Sequence, residues 1–269
     1  MSGQVSFTVF TKPWRELSLA HLAEKVAAMG LAGVELPVRP GYQVPPEDVS
    51  RGLPVAARLF ESVGLRIISV AGPTEEATIR ACGEAGVPIL RTMAAIGEQE
   101  RYAAAEERLW REYDALLPAL RSSRVTLGVQ NHCGRFVANA VGLRSLLARY
   151  DPHEVAAVWD AAHEALNGGL AEYALDVLWP RLCLVNLKNA FWERTNGPEA
   201  AVAAWQPYWT DGRHGLASWP TVVDELQHRG YSGPICLTAE YSATTLVDTL
   251  ITRDLAWAKA LFAGERNDG

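Results

Sequence analysis

Short apolar, β-rich runs alternate with longer stretches of helical periodicity from one end of the chain to the other. The strand candidates are 5–10, 33–36, 65–70, 89–93, 125–130, 156–160, 182–187 and 235–240. Each holds several apolar residues in succession rather than a strict in–out alternation, as strands covered on both faces do. Helical patterns fill the spaces at 19–29, 53–63, 74–85, 98–120, 140–149, 170–178, 219–227 and 245–262. In the first of these, Leu19, Leu22, Ala23, Val26 and Met29 recur at three- and four-residue steps and share one face. Gly30, Gly64, Gly86 and Gly230 each close a helix before a strand, the place for a left-handed C-cap. Asp151-Pro152 and Gly233-Pro234 break the pattern similarly.

Eight strands alternating with eight helices, with no Pro/Gly/Ser linker between halves, predict an α/β chain closed as one (β/α)8 barrel over 1–263. The polar tail 264–269 is expected to fray. An open doubly wound sheet is the competitor. It wants a Gly-rich phosphate loop after the first strand, where this chain has Phe10-Thr11-Lys12-Pro13-Trp14.

Composition narrows the classes. With 269 residues, 49% of them hydrophobic and 21% charged, the chain can bury a sizeable core. A net charge of −6 argues against a nucleic-acid surface. No apolar run approaches the roughly 18 residues of a membrane span, and the first residues lack a signal-peptide pattern. Cys82, Cys133, Cys183 and Cys236 are scattered without a CxxC pair, as expected of reduced, mostly buried thiols in a cytoplasmic protein.

The polar residues collect where a barrel does its chemistry. Strand 2 ends at Glu35, strand 4 at Arg91 and strand 5 at Gln130-Asn131-His132. Strand 6 ends at Asp160 with His163 three residues on, strand 7 at Asn186 and Lys188, and strand 8 at Glu240. Barrel closure points the carboxyl ends of all strands into one mouth. Ionisable groups there have no packing reason, because burying an unpaired charge is costly.

These segments resemble the sugar isomerase/epimerase group of xylose-isomerase-like barrels. Residues 125–134 (VTLGVQNHCG) are similar to the family's L-x-x-E-N-H-x-G on strand 5, and 158–163 (VWDAAH) to its D-x-x-H on strand 6. Residues 185–189 (VNLKN) are similar to its H-x-K-D on strand 7. Residues 231–240 (YSGPICLTAE) are similar to the run leading into the strand 8 Glu, and 29–36 (MGLAGVEL) to its G-F-D-G-V-E-L turn. The resemblance covers nearly the whole chain. It implies a site in which Glu, Asp, His and Glu bind one divalent ion that polarises a sugar's oxygens while carboxylates move a proton.

Carried over by position, that metal set becomes Gln130, Asp160, Asn186 and Glu240, with two ligands changed to amides. Asn189 likewise stands where the family often has Asp. An amide site would hold Mg2+ or Mn2+ more weakly and select against Zn2+, and the protein could also work free of metal. Gln130 cannot act as a base, which leaves Glu240, with His163, His132 or Lys188 as its acid partner.

Residues 190–218 hold Phe191, Trp192, Trp205, Tyr208, Trp209, Arg213 and His214 in one long connection, the length of a lid or binding loop. Trp192 is expected to stack on a sugar and Arg213-His214 to hold an acidic group. The same aromatics could instead pack the loop down or form a contact in a homo-oligomer. His21, His153, His228 and the charge run 98–111 read as surface.

Three functions follow from the resemblance: a sugar isomerase or epimerase, a lyase or dehydratase on a keto-sugar or polyol, or a carbohydrate-binding barrel without catalysis. A small-molecule sugar is the expected partner in each. An apurinic endonuclease fits poorly, for want of clustered His ligands and a basic face.

Overall fold

The structure is a computed structural model describing residues 5–265. Eight parallel strands close into a barrel: β1 (Ser6–Phe10), β2 (Gly33–Pro37), β3 (Arg66–Ala71), β4 (Ile89–Met93), β5 (Thr126–Gln130), β6 (Val155–Asp160), β7 (Leu182–Leu187) and the last, β10 (Pro234–Leu237). They neighbour one another in sequence order, and β1 closes the ring against β10 through Ser6–Pro234, Phe7–Ile235, Thr8–Cys236 and Val9–Leu237. The closed barrel excludes the doubly wound alternative.

Helices α1 (Leu19–Ala28), α2 (Val49–Ser62), α3 (Glu76–Glu84), α4 (Tyr102–Ser123), α5 (Ala140–Leu147), α6 (Ala161–Leu166), α7 (Ala171–Leu178), α8 (Trp219–His228) and α9 (Val247–Phe262) connect or follow the strands. Their apolar faces and the outward faces of the strands form one large core, with Leu22, Val26, Leu53, Phe60, Leu143 and Leu226 wholly buried. A smaller cluster of Phe10, Ala71, Ile89, Val158, Leu184 and Cys236 fills the barrel interior. Gly128 belongs to that interior: a Cβ there would lie 2.7 Å from a Val158 methyl. Gly30, Gly64, Gly86 and Gly230 take φ between +68° and +79°, the left-handed caps predicted for them.

Two elements depart from the sequence reading. Helix α6 begins directly after β6, with no loop between. Asp160 caps it, one carboxylate oxygen accepting from His163 N at 3.1 Å, and so short a helix leaves little periodicity to read. The connection after β7 is ordered as an antiparallel hairpin of β8 (Asn189–Arg194) and β9 (Trp205–Thr210). The tail 264–269 lies largely outside the described residues. No helix among the described residues is long and apolar enough to cross a membrane. All four cysteines are free, three of them buried.

Candidate active site

Polar side chains on five adjacent strands form one hydrogen-bonded chain, with Glu35 and Arg91 in mid-strand rather than at the strand ends where the sequence reading placed them. Ser69 on β3 donates to Glu35 on β2 at 2.8 Å, and Arg91 on β4 forms an ion pair with the same carboxylate at 2.7 Å. Glu35 has no exposed surface and Arg91 little. The Arg91 guanidinium continues to Gln130 Oε1 on β5, and Gln130 Nε2 donates to Asp160 Oδ2 on β6 at 2.8 Å. Gln130 therefore needs one acceptor and one donor. A glutamate here would set its carboxylate against that of the buried Asp160, and the amide avoids that repulsion.

Asp160 is buried, with both oxygens engaged by Gln130 and the α6 amide. Burial pushes its carboxyl up to about 6, against the pull of Lys188. It does not line the open cavity, whereas Glu240 does, so the two acids of the implied metal set do not share one open space. The reason is the immediate start of α6, which turns the carboxylate down onto its first amides.

Glu240 stands beyond β10, three residues past the strand's end, and the reading of 235–240 as one strand is corrected accordingly. Ala239 before it takes φ +51°, a left-handed conformation rare for a residue with a Cβ, at the point where the chain leaves the barrel. Such outliers concentrate at functional sites. Glu240 Oε2 accepts from Lys188 Nζ at 2.7 Å, and its other oxygen pairs with Lys12. Despite burial, the two ammonium groups hold its carboxyl down to about 2.

Lys188 Nζ also lies 3.6 Å from the centre of the Trp209 ring, supplied by β9. Trp209 packs edge-on against His163 at 5.2 Å, and its backbone is fixed to Ser242 in the loop after Glu240. The hairpin thus covers one side of the mouth with a single aromatic ring. Its other aromatics turn elsewhere. Phe191 stacks on Tyr208, while Trp192 is 41% exposed and donates to Leu166 O.

Asn189 staples the hairpin. Its amide donates to the Gly212 and Ala217 carbonyls at 2.6 and 2.9 Å and accepts from the Ala190 and Ala217 amides. An aspartate could not make the first two contacts, which accounts for this departure from the family pattern.

His132 and His163 lie ring to ring at 3.9 Å. His132 Nδ1 faces the Cys133 carbonyl at 2.7 Å, so it carries the proton and leaves Nε2 with a lone pair. His163 Nδ1 accepts from Cys133 N at 3.2 Å. Burial lowers the pKa of both imidazoles, with the Lys188 charge acting in the same direction. Both are neutral at pH 7.

A cavity of about 110 Å3 joins these groups, lined among others by Lys12, Arg39, Arg91, His132, Asn186 and Glu240. Asn186 Oδ1 is buried without a hydrogen-bond partner. The site residues predicted from strand ends therefore converge in part. Arg91, Gln130, His132, His163, Asn186 and Glu240 line the cavity, and Lys188 reaches it through Glu240. Glu35 sits behind Arg91. Arg213 and His214 do not take part. Arg213 lies over Trp257, and His214 pairs with Asp211 at 2.7 Å, both lining a separate cavity against α9. The hairpin ends before them and carries them to the outside. Lys12 and Arg39, which sequence reasoning passed over, lie two residues beyond β1 and β2, where the same strand-end rule would have found them.

The four positions that the resemblance assigns to a metal do not fit one. Arg91 holds the Gln130 carbonyl oxygen, two ammonium groups hold Glu240, and both Asp160 oxygens accept hydrogen bonds. Only Asn186 Oδ1 is free. A dication would face the Arg91, Lys12 and Lys188 cations, with the Asp160 and Glu240 carboxylates both already engaged, an unfavourable balance. His132, Cys133 and His163 also bring potential ligand atoms within 4.8 Å of one another. Burial there keeps the thiol protonated, however, and both Nδ1 atoms are in use.

Residues 23–261 match the family model described as xylose isomerase-like TIM barrel, and the chain belongs to that family. No curated protein matches the sequence. Among solved structures, the chain is similar to D-psicose 3-epimerase in the presence of D-fructose, with TM-score 0.72, 10% identity and coverage of 97% of this chain and 100% of that one. It is also similar to 3-keto-D-glucoside 4-epimerase YcjR from E. coli, with TM-score 0.73, 11% identity and coverage of 96% and 100%. The probable 3-DHS dehydratase AsbF from Bacillus anthracis aligns with TM-score 0.67, 15% identity and coverage of 94% and 99%. At these identities the likeness is one of fold.

Proposed function

We propose that the protein is a sugar isomerase or epimerase that moves a proton at a carbon beside a carbonyl, using side-chain cations where the family resemblance implies a metal. The observation that carries this reading is the placement of Lys188. Its buried ammonium is fixed between Glu240 Oε2 at 2.7 Å and the Trp209 ring at 3.6 Å, behind a carboxylate that lines the cavity, and the same cavity offers a neutral imidazole lone pair.

Abstraction of a proton beside a carbonyl puts negative charge on the carbonyl oxygen. Preorganised cations in a water-poor site stabilise that charge with little reorganisation. Lys188, with Lys12 on the other side of Glu240, supplies this electrostatic role. His132 Nε2 takes the proton and returns it to the neighbouring carbon in isomerisation, whereas epimerisation needs a second proton donor on the opposite face of the enolate. Glu240 serves to position both ammonium groups, since a carboxyl held down to about 2 is a weak base. Asn186 Oδ1 receives a substrate hydroxyl.

The similarity in fold to two epimerases supports the reading. A second reading, dehydration of a keto-sugar, uses the same base and the same stabilised anion but expels a β-hydroxyl, and the fold is shared with a dehydratase as well. Incubation of keto-sugars with the protein in D2O separates the two. Deuterium at one carbon of recovered sugar supports isomerisation or epimerisation, an unsaturated product supports elimination, and neither outcome across a broad panel of sugars removes the catalytic reading.

A further inference from the structure

Arg39 follows β2 and sits between two spaces. It lines the 110 Å3 cavity with Lys12 and Glu240, and also an adjoining cleft of about 280 Å3 bounded by Pro40, Pro73, Ala95 and Phe136. Arg91 and Met93 are common to both, so the spaces share a wall. The inner cavity alone falls below the roughly 300–1,000 Å3 of ordinary ligand pockets, and the two together reach that range. A ligand with its reacting end beside Glu240 therefore extends past Arg39.

The charges along that path do not balance. Glu35 neutralises Arg91, and Glu240 faces both Lys12 and Lys188. Arg39 makes no ion pair among the described residues. It lies over the Phe10 ring at 5.7 Å, and Arg91 lies over the same ring at 5.0 Å. This excess of positive charge is local, because the chain as a whole carries a net charge of −6. A cleft lined by one sign of charge raises the local concentration of ligands of the other sign. At the inner end the need is different, since the unpartnered Asn186 Oδ1 requires a hydrogen-bond donor.

We propose that the substrate is an anionic sugar derivative, whose carboxylate or phosphate is received by Arg39 at the junction of the two cavities while its hydroxyl-bearing end reaches Asn186. This rests on the proton-transfer reading for the identity of the reacting end, but the selection for charge is separable from it.

The test is calorimetric titration of the wild-type protein and of Arg39→Ala with three ligands of similar carbon skeleton: D-fructose, 5-keto-D-gluconate and D-fructose 6-phosphate. Arg39 is half-buried and makes no ion pair among the described residues, so its removal should leave the fold intact, which circular dichroism checks. Wild type is expected to bind at least one anionic ligand roughly tenfold or more tightly than D-fructose, equivalent to a single useful ion pair. In Arg39→Ala that preference collapses while D-fructose affinity changes less than about twofold. A stronger response to the keto acid assigns a carboxylate, and a stronger response to the sugar phosphate assigns a phosphate. Equal binding of all three, an undiminished preference in Arg39→Ala, or no binding of either anion at millimolar concentration overturns the proposal. Deuterium exchange measured on the same ligands reads the other claim. Charge selection without exchange leaves this inference standing and removes proton transfer, whereas exchange as fast on D-fructose as on the anions does the reverse.

Discussion

The Lys188 ammonium and the Glu240 carboxylate meet at 2.7 Å although they come from loops after β7 and β10, fifty-two positions apart in the chain. Lys12 pairs with the second carboxylate oxygen, so one anion fixes two cations at the mouth of the barrel. If those cations stabilise a developing oxyanion, Lys188→Met should lower kcat/KM by roughly 10²- to 10³-fold, as loss of an oxyanion donor does elsewhere. Steady-state kinetics on whichever sugar exchanges deuterium would check this, and a loss confined to KM would assign Lys188 to binding alone.

The base assignment predicts a pH profile. Burial and the nearby Lys188 charge lower the His132 pKa from its ordinary 6.5, so its lone pair is available throughout the neutral range. Activity should stay flat near pH 7 and fall with a slope of one proton only at a pH more acidic than an ordinary imidazole would require. His132→Gln should abolish that limb and cost on the order of 10² to 10⁴ in kcat. An unchanged limb in the variant would assign the titration to another group.

The occupied donor set predicts independence from metal. Prolonged dialysis against a chelator should leave turnover and melting temperature unchanged, and elemental analysis of the untreated protein should find far less than one divalent ion per chain. Loss of activity on chelation, restored by Mn2+ or Mg2+, would show that the cations yield their places to an ion.

Asn189 is expected to tolerate no acid. Asn189→Asp would turn a carboxylate oxygen toward the Gly212 and Ala217 carbonyls, which the amide now serves at 2.6 and 2.9 Å. Leaving buried groups unsatisfied costs roughly 1–3 kcal/mol each, so the melting temperature should fall by several degrees. Asn189→Ser, which keeps a donor, should cost less. Differential scanning calorimetry separates the two.

Glu164 should make stability depend on pH. It is buried, accepting from Ala140 N at 3.0 Å and from Asn131 at 3.3 Å, and burial pushes its carboxyl from 4.5 up to about 7. The folded chain therefore holds the proton more tightly than the unfolded one. The stabilisation is complete below about pH 4.5 and is lost as pH rises through about 7. Glu164→Gln should flatten this part of the wild-type curve of melting temperature against pH, and identical slopes in the two proteins would refute the assignment.

Apolar runs, helical spacing and four capping glycines were enough to read a barrel, because the period of hydrophobicity and the need for positive φ are local properties of the chain. Strand-end position also singled out Glu35, Arg91, Gln130, Asp160, Asn186 and Glu240, since parallel closure carries every carboxyl end to one mouth. Which of those side chains meet was decided only by the tertiary structure. The start of α6 turns Asp160 inward, and the left-handed Ala239 delivers Glu240 to two lysines. The β8–β9 hairpin brings in Trp209 but carries Arg213 and His214 away. Partnership between groups far apart in sequence depends on backbone direction and distance after closure, and no local pattern of residues encodes either.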